Sequence, residues 1–144
     1  MAGNFALDIS RWCNKAKANT RAVIQNIAME TFKRVILRSP VDTGRFRANW
    51  GVMVGSPYTG YDDSARDKSG SATIGKAQTI TVSWNAQGLI TCCNNLAYSI
   101  PLEYGHSKQA PQGMVRVTAA EITAWAQSAA NVKESIGSIR SKTN

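Results

Sequence analysis

The chain has 144 residues, the length of one ordinary domain, and 43% of them are hydrophobic. This composition excludes disorder throughout and allows folding without a disulfide framework or a structural metal. The net charge of +8, concentrated in the first third, favours a polyanionic partner, although a solvated basic helix face explains it as well.

The amino terminus lacks the basic region and apolar run of a signal peptide, and no other apolar run is long enough to span a membrane. The three cysteines are Cys13 and the adjacent Cys92 and Cys93. An odd number without framework spacing predicts free thiols in a reducing compartment. We therefore expect no membrane partner and assembly in a cytoplasm.

The first periodic segment predicts a helix over residues 16–38. Its apolar residues recur at the spacing of one helix face: Ile24, Ile27, Ala28, Phe32 and Val35. Pro40 lacks the backbone N–H that would continue the helix, and it disfavours helical geometry at Ser39. The helix is therefore expected to end at Arg38.

A turn and a strand are predicted next. Residues 41–44 are Val-Asp-Thr-Gly, in which the glycine tolerates a positive φ and the aspartate can bond its own backbone. Residues 50–54 alternate as a half-buried strand does. Residues 56–76 are polar and aperiodic, which indicates a mobile or extended loop that a neighbouring subunit orders.

Two further strands are predicted. Residues 78–84 place Ile80, Val82 and Trp84 on one face and polar residues on the other. Residues 85–88 have the composition of a hairpin turn, and residues 89–93 return as the next strand. The three strands predict an antiparallel meander with the first helix on its apolar face.

An Ala-rich apolar stripe predicts the last helix over residues 113–135, with a stop at Gly137 and a basic tail from residue 137. The predicted fold class is therefore α+β, in one domain spanning residues 1–144. It has an N-terminal helix, a small antiparallel sheet with a long loop, and a C-terminal helix.

Asp42-Thr43-Gly44 has the sequence of an aspartic-protease active-site turn. That chemistry needs two carboxylates that share a proton, from two copies of the motif or from a symmetric dimer. It also needs an apolar strand leading into the turn, whereas here a helix ends at Pro40. A structural turn is the preferred interpretation.

Other catalytic and binding motifs are not found. His106 is the single histidine, and a cysteine nucleophile would need it close to Cys92 or Cys93, which lie in a strand pattern typical of inert thiols. The cysteines do not have zinc-ligand spacing, and no glycine-rich phosphate loop is present. We therefore predict no catalytic residue, no metal and no cofactor.

Aromatic and charged residues mixed in short turns are typical of protein interfaces. Arg45 and Arg47 project to the same side if their segment is extended, and Glu103 of the next copy is their expected partner. A core role is nearly as good an interpretation for Tyr98. The predicted interface residues are Arg45, Arg47, Trp50, Tyr98, Glu103, Tyr104, His106 and Lys108.

Three stretches, in their order, resemble a tailed-bacteriophage family of neck, tail-completion and minor tail-component proteins. They are SPVDTGRFRANW (39–50), YSIPLEYGHSK (98–108) and APQGMVRVTAAE (110–121). In that family a helix ends at proline before a V-x-T-G-like turn, and a Tyr-x-x-x-x-Glu-Tyr/Phe-Gly segment precedes the last helix. Ser99, Pro101 and His106 depart from the family pattern.

The resemblance implies a structural virion protein of the head–tail neck or tail apex, assembled in the bacterial cytoplasm. It implies a homo-oligomeric ring, commonly of six copies, around the DNA channel. The implied partners are connector, tail-terminator or tail-tube proteins, with non-specific contact to DNA. Two alternatives remain, a small basic nucleic-acid-binding protein and a minor hydrolase that uses cysteine and His106.

Overall fold

The structure is a computed structural model that describes residues 20–128, and it confirms the α+β class. The parts of the two predicted long helices beyond these limits, Gly137 and the basic tail lie outside the described residues. In chain order the elements are α1 (Thr20–Arg38), α2 (Arg45–Ala48), β1 (Trp50–Val54), α3 (Ser71–Ser83), β2 (Ile90–Asn94), α4 (Ser99–Glu103) and α5 (Val115–Gln127).

Helix α1 ends at Arg38, as the proline predicted. The Ser39 N–H donates to Ile36 O at 3.2 Å and its hydroxyl donates to Val35 O at 2.9 Å, so that local bonds satisfy the last carbonyls. Phe32 of the predicted stripe is buried in the main core, together with Ile36, which the predicted stripe did not include.

Strands β1 and β2 pair antiparallel, with Val52 opposite Cys92 and Trp50 opposite Asn94. Both strands lie where the sequence predicted them, to within one residue. One sheet face, which includes Val52, packs against α1 and α3 through Phe32, Ile36 and Ala77. The helices therefore cover one face of a two-stranded sheet.

The strand predicted at residues 78–84 is wrong, because residues 78–83 belong to helix α3 and Trp84 directly follows its end. Its alternation coincides with a helical stripe whose members are buried or half-buried: Thr73, Ala77, Ile80, Thr81 and Trp84. The β-branched Thr79 and Thr81 are accommodated because their hydroxyls donate to the carbonyls four residues earlier, Gly75 O and Ala77 O. The predicted three-stranded meander is therefore a two-stranded sheet with a helix between its strands in sequence.

Asp67 explains why a helix forms in this segment. Its carboxylate accepts hydrogen bonds from the Thr73 N–H at 2.9 Å, the Thr73 hydroxyl at 2.7 Å and the Gly70 N–H at 2.9 Å. These bonds satisfy donors of the first helical turn, which otherwise have no partner. The predicted loop is correspondingly too long, because α3 begins at Ser71.

The remaining irregular segment, residues 56–70, crosses the second face of the sheet, and we call it the strap. The Tyr58 ring lies so close to Gly51 that a Cβ at position 51 would clash with it. The Asn95 side chain donates to Tyr58 O at 2.9 Å, and Asn49 exchanges two hydrogen bonds with the backbone of Asp62. In this structure the strap lies on its own chain, whereas the sequence predicted an arm ordered by a neighbour.

Replacing Tyr58 with alanine is expected to release the strap, because the ring is its aromatic contact with the sheet. Limited proteolysis at native pH should then cut within residues 56–70 at least several-fold faster than in the wild-type chain. Tyr61→Ala is the matched control, since Tyr61 is 63% exposed. Equal cleavage rates for the two variants would contradict the contact.

Helix α5 docks on α1 through charged groups. Arg34 Nη1 donates to Glu121 Oε2 at 2.9 Å, and Arg38 donates to Glu121 and to the buried hydroxyl of Thr118. Hydrogen bonds and charge from these arginines hold the pKa of Glu121 below its usual range.

In residues 20–128 no helix combines the length and hydropathy needed to cross a bilayer.

Candidate protein-interaction surface

The turn at residues 41–44 and the segment at 98–109 are far apart in sequence but line one groove. This motif groove has a volume of about 520 Å³, and its lining includes Asp42, Arg45, Tyr98 and His106. Gln109 joins its two sides, because its amide accepts from Val41 N at 2.8 Å and donates to Val41 O at 3.0 Å. The structure therefore brings the first two family-like stretches together.

Gly44 shows why the turn needs glycine. Its φ is +88°, and a Cβ there would lie 2.7 Å from Lys68 N and 2.8 Å from Asp67 N in the strap. Its carbonyl accepts from the N–H groups of Ala48 and Asp67. The Asp-Thr-Gly sequence thus serves a close crossing of two backbone segments.

The extended segment predicted for Arg45 and Arg47 is wrong, because residues 45–48 form a single helical turn. Arg45 makes an ion pair with Asp63 of the strap, and its guanidinium lies 5.6 Å from the centre of the Tyr98 ring. The two arginines therefore have different surroundings within the chain.

Arg47 is directed inward. Its guanidinium donates to Lys68 O at 2.7 Å, Leu37 O at 2.8 Å and Ser39 O at 2.9 Å. Burial lowers the pKa of Arg47 more than the nearby Asp67 carboxylate raises it. The side chain joins the end of α1 to the strap, a structural role that the sequence did not predict.

Trp50 and Tyr98 belong to the aromatic core beneath the groove. The Phe46 ring centre lies 5.9 Å from that of Trp50 and 5.7 Å from that of Tyr98. Trp50 Nε1 also donates to the buried Ser39 hydroxyl at 2.6 Å. The Trp50 and Tyr98 side chains are both partly buried against this core, and Tyr98 also lines the groove.

Glu103 caps helix α5. Its carboxylate accepts from the N–H groups of Met114 and Val115, both at 2.9 Å, and of Arg116 at 3.0 Å. Burial raises the pKa of Glu103, but the hydrogen bonds from these N–H groups and from the Arg116 side chain lower it by a larger amount. The pKa of Glu103 is therefore below its usual value. Gly113 permits this approach, since a Cβ there would clash with Glu103.

Beside the capped helix lies an exposed cluster that we call the apolar patch: Ile100, Tyr104 and Val115. Their exposed fractions are 70%, 65% and 46%. They rim a pocket of about 270 Å³ whose floor includes Trp50, Phe46 and Met114. The Arg116 guanidinium lies 4.7 Å from the centre of the Tyr104 ring.

The sequence identified Tyr104 but missed Ile100 and Val115. The signal for Ile100 is its spacing of four residues from Tyr104, which places both on one side of a helical turn. Val115 lies at the start of α5, three residues before the buried Thr118.

His106 is exposed and lines the groove, whereas Lys108 is exposed and is not part of its lining. Neither Cys92 nor Cys93 lines the groove that His106 lines. Burial, and secondarily Cys93, raises the pKa of the Cys92 thiol to about 12. Among residues 20–128, no three His, Cys, Asp or Glu side chains are grouped so as to hold a metal ion.

Comparison with known proteins found no matching family model, no matching curated protein and no matching solved structure. Functional inference therefore depends on the residues and on the geometry described above.

Proposed function

We propose that this chain is a structural subunit of a tailed-phage virion, in the head–tail neck or at the tail apex. Its copies form a ring, of six subunits in the resembled family, that joins the tail to the connector around the DNA channel. The observation that carries the proposal is the convergence of the three family-like stretches. The turn at 41–44 and the segment at 98–109 line one groove, and Glu103 caps the helix that the third stretch begins.

The convergent region has properties that suit protein docking. The apolar patch has an aromatic ring and two aliphatic side chains at its surface, over a rigid aromatic core. Surfaces of this composition are typical of interface centres. The groups bordering the patch hold one another in place through Glu103, so a partner meets a preformed shape.

The partners in this proposal are further copies of the chain and the adjacent connector, tail-terminator or tail-tube proteins. In this proposal the chain is assembled in the bacterial cytoplasm and is located in the virion. No catalytic residue and no cofactor are proposed. Tyr104, His106 and Lys108 are the predicted interface residues that have the most exposed positions, and Arg45 is the predicted interface arginine that lines the groove.

The alternative of a nucleic-acid-binding protein is less well supported in the described residues. Several arginines that could bind DNA phosphates, judged from the sequence, form ion pairs with acidic residues of the same chain. Those with such partners are Arg34, Arg38, Arg45 and Arg116. A paired arginine releases fewer counterions from DNA, so that it contributes less to affinity.

Two measurements on the purified chain distinguish these functions. The proposal predicts a concentration-dependent oligomer of discrete mass in sedimentation, with little retention on DNA at about 0.15 M salt. A chain that stays monomeric at every concentration and binds DNA with a steep salt dependence would contradict it.

A further inference from the structure

A second exposed apolar cluster lies at the far end of the sheet. Met53 and Val54 are each 42% exposed and Leu89 is 52% exposed. Gly55 N donates to Leu89 O at 2.8 Å, which holds the two chain segments together. We call Met53, Val54 and Leu89 the sheet tip. Met53 and Val54 are neighbours on the strand, so their side chains lie on opposite faces of the sheet at this end.

The last residue of β1, Val54, belongs to the sheet tip, and its first residue, Trp50, lines the pocket of the apolar patch. Four residue steps of an extended strand separate Trp50 from Val54 by about 13 Å. Because the paired strand is rigid, a chain cannot place its own tip on its own patch.

The two surfaces also match in charge. Residues 53–57 and 85–90, which form the tip and its flanks, contain no charged side chain. At the patch, the Glu103 carboxylate is neutralised by the Arg116 side chain and by three backbone N–H groups. An uncharged apolar tip can exclude water from the patch without burying an unpaired charge. A charged partner segment would instead pay a desolvation cost on binding there.

We propose that the sheet tip of one copy docks on the apolar patch of a second copy. The contact uses a different surface on each partner, so each bound copy still offers a free tip or a free patch. Such a head-to-tail contact extends a chain of subunits until rotation closes it into a ring. This inference rests on the proposed ring function and names the surfaces that build the ring.

Single charges test each surface separately. Leu89→Asp places a charge in the tip and Ile100→Asp places a charge in the patch. Each should raise the dissociation constant of self-association, measured by sedimentation, by at least about tenfold. Val82→Asp is the matched control, because Val82 is a 50% exposed aliphatic residue outside both surfaces. Melting curves and circular dichroism identify variants that remain folded, and Val54→Asp replaces Leu89→Asp if the latter does not fold.

Mixing the two variants is the decisive step. Leu89→Asp retains its patch and Ile100→Asp retains its tip, so an equimolar mixture should form heterodimers that grow no further. Wild-type-like assembly of either single variant, or a mixture without heterodimers, would overturn the inference. Oligomers that assemble normally in both variants would leave the ring function standing and refute only these surfaces, whereas a monomeric wild-type chain would refute both.

Discussion

Replacing Arg47 with alanine is expected to lower the free energy of unfolding by roughly 2–4 kcal/mol. The change removes three hydrogen bonds from one charged group, two to carbonyls near the end of α1 and one to the strap at Lys68. It also leaves those carbonyls without the donor that joins the two segments. Chemical denaturation followed by tryptophan fluorescence measures the loss, since Trp50 is near the site.

Two further variants define the cause of this loss. Arg47→Lys keeps the positive charge but has one compact ammonium in place of a planar fork, so it should recover only part of the stability. Arg66→Ala is the control, because Arg66 is exposed and its hydrogen bonds within residues 20–128 go to Asp63 O and Ala65 O of its own turn. If Arg47→Ala had the same denaturation midpoint as the wild-type chain, the three hydrogen bonds would contribute nothing to the free energy of unfolding.

Replacing Glu103 with glutamine is expected to cost about 1–3 kcal/mol at neutral pH. The carboxylate accepts from three backbone N–H groups at the start of α5, and an amide nitrogen in its place would face those donors with a donor of its own. The side chain is only 17% exposed, so water replaces the lost acceptor poorly.

The pH dependence of this difference follows from the lowered pKa of Glu103. A lowered folded-state pKa gives stability that is fully present above the unfolded pKa of about 4.3 and is lost as pH falls through the folded value. The stability gap between wild type and Glu103→Gln should therefore be constant near neutrality and shrink in acid. A gap that stays the same down to the acid limit of folding would contradict the role of the ionised carboxylate.

Local signals explain which elements could be predicted. The end of α1 before Pro40 and the strand at residues 50–54 depend on neighbouring residues, and both are confirmed. The predicted alternation of burial along this strand is not seen, because Met53 and Val54 are each 42% exposed. The segment at 78–84 satisfies both periods, because Ile80 and Trp84 fit an alternating strand and a helical stripe alike. Asp67, eleven residues earlier, selects the helix by capping it, and its partners become visible only in three dimensions.

The site was predicted in outline and not in its details. The predicted interface residues lie in the stretches at 39–50 and 98–108, and parts of both stretches line one groove in the structure. Of the predicted residues, Arg45, Tyr98 and His106 line that groove. The roles of Arg47 and Glu103 could not be deduced, because their partners are backbone groups that carry no sequence signal. A charged residue in a loop resembles an interface residue until the backbone that it bonds is known.

The central claim is that this chain is a ring subunit at the junction of head and tail. Its most direct test is electron microscopy of particles assembled with and without the chain, labelled with an antibody against it. The account predicts label at the head–tail junction of joined particles, and separate heads and tails when the chain is absent. Joined, infectious particles formed without the chain, or purified virions that do not contain it, would contradict the account.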